Sequence, residues 1–151
     1  MNRTDIEKGF SGCRSFLDAG AWREMISECR DDENPEFILD RILLHCRSVG
    51  TPGFLPELAR LEWRILKIKE QEIATPDQLN ELIPNPSLHL LEFCWKNLTD
   101  CLNASGSVVP EPGREFVAIW KHPVDGRVRA KVASPEDLLV LKMILDRKSV
   151  V

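Results

Sequence analysis

The stretch EFVAIWKHPVDGRVRAKV, residues 115–132, constrains the fold more than any other part of the chain. Two runs rich in β-branched residues alternate apolar and polar positions on either side of Pro123-Val124-Asp125-Gly126, the pattern of a hairpin with a tight turn. A lone hairpin is marginal in water and needs a third strand or a covering helix. NPSLHLLEFCWKNL, residues 85–98, reads two ways: Leu88, Leu91, Trp95, Leu98 and Leu102 fit a helix, whereas the alternation across 88–93 fits a strand. The hairpin's need for a partner decides for a strand at 88–93, followed by a short helix through Leu98 and Leu102. VVPEPGRE, residues 108–115, reads as a loop because its two prolines oppose regular pairing.

The rest of the chain carries helical periodicity. Thr4 and Glu7 form a capping-box pattern ahead of Ile6, Phe10, Cys13 and Leu17, with Gly20 as the stop. Trp22, Met25, Ile26 and Cys29 make a second apolar face. Asn34-Pro35 opens a helix lined by Phe37, Ile38, Ile42, Cys46 and Val49 and ended by Gly50. Thr51-Pro52-Gly53 leads into a helix predicted to reach about Ile73, and Thr75-Pro76-Asp77 starts a helical turn. Ser134-Pro135-Glu136-Asp137 is an N-cap, N1 proline and capping-box acid for a last helix with Leu138, Leu139, Leu141 and Ile144 or Leu145 inward. Val150-Val151 carry no stop signal and read as a cut end. The expectation is an α+β fold, mostly helical, with a small three-stranded antiparallel sheet whose hairpin spans about 115–132. A helical part, 1–84, would join a part, 85–151, holding the sheet and a capping helix.

A chain of 151 residues, 43% hydrophobic and 29% charged, has ordinary globular composition. No apolar run reaches the roughly 18 residues of a membrane span, and the polar N-terminus lacks the apolar core of a signal peptide. Five scattered cysteines suit a reducing, cytoplasmic setting better than a disulfide framework. The net charge of −4 argues against general affinity for nucleic acid.

Within GFLPELARLEWRIL, residues 53–66, Leu55, Leu58, Ala59, Ile65 and Leu66 share one helical face, and Glu62 falls in its middle. A carboxylate there must be paired or hydrogen-bonded. Arg47, tryptophan indoles or the orphan amides of a neighbouring helix start could serve it. No second acid, base or ligand accompanies it, so a structural role is expected. Arg127, Arg129 and Lys131 alternate with Val128, Ala130 and Val132, which places the three cations on one sheet face, and Lys121 is expected to join them from the partner strand. That face reads either as solvated or as a contact for phosphates or an acidic peptide. The cysteines lack the close pairs of zinc and iron–sulfur sites. His45 and Cys46 point to different helix faces. The common enzyme motifs are missing. No catalytic residue, metal or cofactor is expected.

FLPELARLEW, NPSLHLLEFCW, EFVAIWKHPVDGRVRAK and SPEDLLVLK, in this order, resemble the HvfC/BufC family of bacterial domains, described as DNA-binding and including a relative from methanobactin biosynthesis. The likeness covers about 54–141. It implies a helical region packed on a small antiparallel sheet, a winged-helix-like C-terminal end, and an architectural job for Glu62. It also implies a partner role, in which such a protein helps a separate enzyme engage a precursor peptide. The chain departs from that family in having no tyrosine and in lacking its further C-terminal helices. The resulting expectation is a non-catalytic docking domain for a peptide or partner enzyme domain. Its alternatives are a DNA-binding module using the basic hairpin, and the front part of a radical-SAM iron–sulfur enzyme whose centre lies outside this chain.

Overall fold

A computed structural model of the chain describes residues 3–27, 35–47, 51–72, 87–102 and 108–149, with side chains left undescribed at Arg3, Ile6, Pro35 and 144–149. Among these residues, five helices precede the sheet in sequence: α1 (Arg3–Gly9), α2 (Ser11–Ser15), α3 (Ala19–Ser27), α4 (Pro35–His45) and α5 (Leu55–Glu70). Strand β1 (His89–Lys96), a single 3₁₀ turn (Thr99–Cys101), strands β2 (Glu111–Lys121) and β3 (Val128–Val132), and α6 (Pro135–Ser149) follow. The sheet is antiparallel in the order β1-β2-β3. The fold is α+β.

The hairpin forms where its alternation places it. Val117 pairs with Val132, Ile119 with Ala130 and Lys121 with Val128. At its tip the His122 imidazole accepts the Val124 N–H at 3.2 Å, and Asp125 Oδ1 accepts the Arg127 N–H at 2.8 Å. The third strand also forms, but it runs to Lys96, so the helical continuation shrinks to one turn at Thr99–Cys101.

The loop expected at 108–115 is instead partly strand, because β2 begins at Glu111 and pairs Pro112 with Trp95. The register shifts between Phe93 and Trp95, and an irregularity of that kind accommodates a proline without breaking the ladder. Gly113, at φ +153°, occupies backbone space that a side chain would strain.

The first helix also differs from its expected form. It breaks at Phe10 into α1 and α2, and Thr4 lies inside α1 instead of capping it. Gly20 is no stop, since α3 opens at Ala19 with the Trp22 N–H on the Asp18 carbonyl at 2.9 Å. Helix α4 starts at Pro35 as read, and α5 ends at Glu70, short of Ile73. The capping box of α6 is present: Ser134 Oγ accepts the Asp137 N–H at 3.1 Å and Asp137 Oδ2 accepts the Ser134 N–H at 3.0 Å. Leu138 and Leu141 are half-buried on α6, but Leu139 is 61% exposed. The readings at Cys29, Val49, Gly50 and Thr75-Pro76-Asp77 lie outside the described residues.

The core is one cluster drawn from both halves of the chain. Leu55, Leu58, Leu61 and Ile68 of α5 meet Phe10 and Cys13 of the N-terminal helices, Ile38 and Ile42 of α4, and Phe93, Val117 and Ile119 of the sheet. Fully burying a side chain of this size contributes roughly 1.5–3 kcal/mol, so α5 is the beam on which helices and sheet are both hung.

Candidate functional site

Glu62 is 2% exposed in the middle of that beam. Its Oε2 accepts the Gly12 N–H at 2.9 Å and its Oε1 accepts the Cys13 N–H at 2.7 Å. These are orphan amides of the first turn of α2, whose N-cap position, Phe10, has no side-chain oxygen to offer. A carboxylate fifty residues away in sequence therefore caps α2. The other donors considered for it do not serve: Arg47 is exposed, and the indole N–H groups of Trp22 and Trp63 are buried without a hydrogen-bond partner among the described residues. Burial pushes the Glu62 carboxyl up to about 7, against the opposing pull of the Cys13 thiol and the two amides. Burial and the neighbouring Glu62 push the Cys13 thiol well above its ordinary range, which suits an inert thiol and not a nucleophile. Gly12 makes the junction possible, because a Cβ there would lie 2.7 Å from the Cys101 carbonyl oxygen and 3.1 Å from both Glu62 oxygens.

Two further carboxylates do similar work that the sequence reading did not anticipate. Glu57 accepts the Cys94 N–H at 2.9 Å and Glu115 accepts the Asn97 N–H at 3.2 Å, both beside the irregular end of β1. Glu57 lies in the same FLPELARLEW stretch as Glu62, but nothing in its spacing marks its partner.

The four cations do not form one group. Lys121 is opposite Val128, so it shares the inner sheet face with Val128 and Ala130, and this corrects the expectation that it joins the other three. Its ammonium instead donates to the carbonyls of Gln71 at 2.8 Å and Lys69 at 3.1 Å, at the C-terminus of α5, where a cation is favoured. Arg129 and Lys131 lie on the outer face opposite Trp120 and Ala118, and Arg127 is exposed just before β3. Arg129 meets Asp125 at 2.7 Å and Lys131 meets Asp137 at 3.2 Å, both pairs at the surface.

A cleft of about 750 Å³ lies beside the inner face of β3. Val128, Ala130, Ile65, Leu66 and Leu102 supply its apolar lining, Glu62 reaches it, and Asp5, Lys8, Lys69 and Glu70 contribute charges. Among the described residues, the edge of β3 beside it is open. The Arg127 carbonyl accepts the His122 N–H at 2.8 Å and the Ala133 N–H reaches the Phe116 carbonyl at 2.8 Å, so these residues turn their main chain towards β2. Antiparallel alternation then turns the N–H and C=O groups of Val128, Ala130 and Val132 away from it. Among the described residues no strand pairs with that side.

The opposite edge of the sheet is different. There the outward amide of Cys94 is taken by Glu57, which obstructs strand addition along β1. No protein-family model matches the chain, and no curated protein matches its sequence.

Proposed function

We propose that this chain is a non-catalytic recognition domain that docks an extended segment of a peptide or partner enzyme domain along the open edge of β3. The observation that carries the reading is the outward row of main-chain groups at Val128, Ala130 and Val132 beside a cleft. Strand addition uses those groups for affinity and neighbouring pockets for specificity. The buried carboxylate of the core is committed to a structural task, since Glu62 holds α2 through the Gly12 and Cys13 amides. The resemblance to HvfC/BufC domains, with their role beside a peptide-modifying enzyme, agrees with this reading, as does a winged-helix-like view of the hairpin and α6. A cytoplasmic location fits the scattered thiols.

The test is Ala130→Pro. Its outward N–H makes no ladder bond, so proline removes a docking donor while leaving the pairing with β2 intact. Peptides selected from a displayed random library on the wild-type chain are expected to lose binding to the variant, with its circular dichroism unchanged. Equal binding to both proteins would overturn edge docking. Duplex DNA bound more tightly than about micromolar at physiological salt, with sequence preference, would instead favour the DNA-binding alternative.

A further inference from the structure

The two faces of β3 differ in chemistry, and an added strand would inherit that difference. A residue placed opposite Ala130 projects to the inner face, towards the cleft and its apolar lining of Ile65, Leu66 and Leu102. A residue placed opposite Arg129 or Lys131 projects to the outer face, beside those two cations, with the exposed Arg127 just before the strand. Side chains in a strand alternate with period two, whichever direction the strand runs.

We infer that the partner segment alternates apolar and acidic residues, the apolar ones entering the cleft and the acidic ones meeting the cations of β3. This inference rests on strand docking at β3. The Asp125 and Asp137 carboxylates that now neighbour Arg129 and Lys131 sit at the surface, with side chains 35% and 36% exposed. Such pairs exchange readily with an incoming acid, since exposed ion pairs are worth little. Arg127 has no carboxylate partner among the described residues and adds a third positive charge. An all-apolar strand would leave Arg127 without a carboxylate beside it, and an all-acidic one would place charge against Ile65 and Leu66. Both are disfavoured by desolvation.

Two short peptides of equal composition test the pattern, one alternating valine and glutamate, the other carrying a valine block followed by a glutamate block. Fluorescence anisotropy with the full chain is expected to show the alternating peptide bound more tightly, by up to about fivefold. That is the worth of the one exposed ion pair newly made at Arg127, since those at Arg129 and Lys131 are exchanged and not added. The doubly substituted Arg129→Glu, Lys131→Glu protein should reverse its choice and prefer a valine–lysine alternation. Both positions are exposed, so the fold is expected to survive. Equal binding of the alternating and block peptides would overturn the pattern while leaving strand docking in place. A charge-swapped protein that still prefers glutamate would also overturn it. Failure of every peptide to bind at millimolar concentration would overturn the pattern and the docking reading together.

Discussion

Two polar regions of this molecule sit on either side of β3, and they are built to opposite specifications. At the inner junction one carboxylate, Glu62, is nearly inaccessible and takes two main-chain hydrogen bonds under 3 Å. On the outer face Arg127, Arg129 and Lys131 are exposed, and the two ion pairs among them are solvated. The same kinds of group are structural when buried and replaceable when wet, because water competes for the second set and not for the first. The difference also separates what the groups do: the buried acid joins α2 to α5, and the surface cations make only solvated contacts with neighbouring carboxylates.

The largest expected effect breaks the inner region outright. Glu62→Leu leaves the Gly12 and Cys13 amides buried with no acceptor, at about 1–3 kcal/mol each. Urea unfolding should therefore show a loss of roughly 2–6 kcal/mol. A leucine variant as stable as the wild type would mean that the two regions do not differ as argued.

Protonation sharpens the same comparison. The folded-state value of Glu62 is raised from its ordinary 4.5 to about 7. For a group raised on folding, the stabilising contribution is fully present below the unfolded value and is lost as pH rises through the folded one. The Glu62 contribution to stability should therefore fall by on the order of 3 kcal/mol between about pH 4.5 and pH 7. An opposing slope comes from His89, which burial and Arg64 hold below the ordinary imidazole range. Asp125 and Asp137 do not interfere, because both are held below the ordinary carboxylate range, by the Arg127 amide and the Ser134 amide respectively, and titrate at lower pH. Glu62→Gln removes the titration, so thermal melts across this window should lose the Glu62 slope. The same variant starts from a lower plateau, since its amide nitrogen faces one of the two N–H donors with no lone pair to offer, at about 1–3 kcal/mol. A variant that keeps the wild-type slope would transfer the titration to another group.

Gly12→Ala probes the junction without touching a charge. The added methyl must lie 2.7 Å from the Cys101 carbonyl oxygen, which is backbone and cannot swing aside. Overpacking of this kind costs about 1–3 kcal/mol, read as a lowered melting temperature. Unchanged stability would show that α2 shifts freely relative to α5, and that the Glu62 bonds tolerate the movement.

The comparison also explains how much was legible beforehand. The hairpin, the third strand, the α6 capping box and the burial of Glu62 were readable, because each is written in local alternation, turn chemistry or helical spacing. The identity of Glu62's partners was open among several donors, because a cap supplied from fifty residues away leaves no local mark. The start of the strand, Glu111 to Arg114, was missed because Pro112 argues against pairing, and the register shift that admits it belongs to β1 as much as to β2. Lys121 was put on the wrong face because strand parity across a hairpin depends on the number of residues in the turn. With His122 to Arg127 between the strands, Lys121 faces Val128 and not Arg129. The open edge of β3 was invisible for the same reason, since which amides point outward is decided by pairing and not by composition.

The smallest expected effect contrasts two cations that look alike in sequence and lie on opposite sheet faces. Lys121 donates to two carbonyls at the end of α5, satisfying orphan acceptors where the helix dipole favours a positive charge. Lys121→Met keeps the stem and removes the charge, so those carbonyls turn to water at about 0.5–1 kcal/mol. Arg129 has one exposed carboxylate partner, Asp125, four residues before it. Arg129→Met should change stability by no more than about 0.5 kcal/mol. The two variants, melted side by side, are expected to rank Lys121→Met as the less stable, and added salt should shrink the Arg129 difference further because a solvated pair is readily screened. The reverse ranking would mean that the Arg129–Asp125 pair holds the hairpin turn in shape. The outer face would then be part of the architecture, and the contrast with the Glu62 junction would collapse.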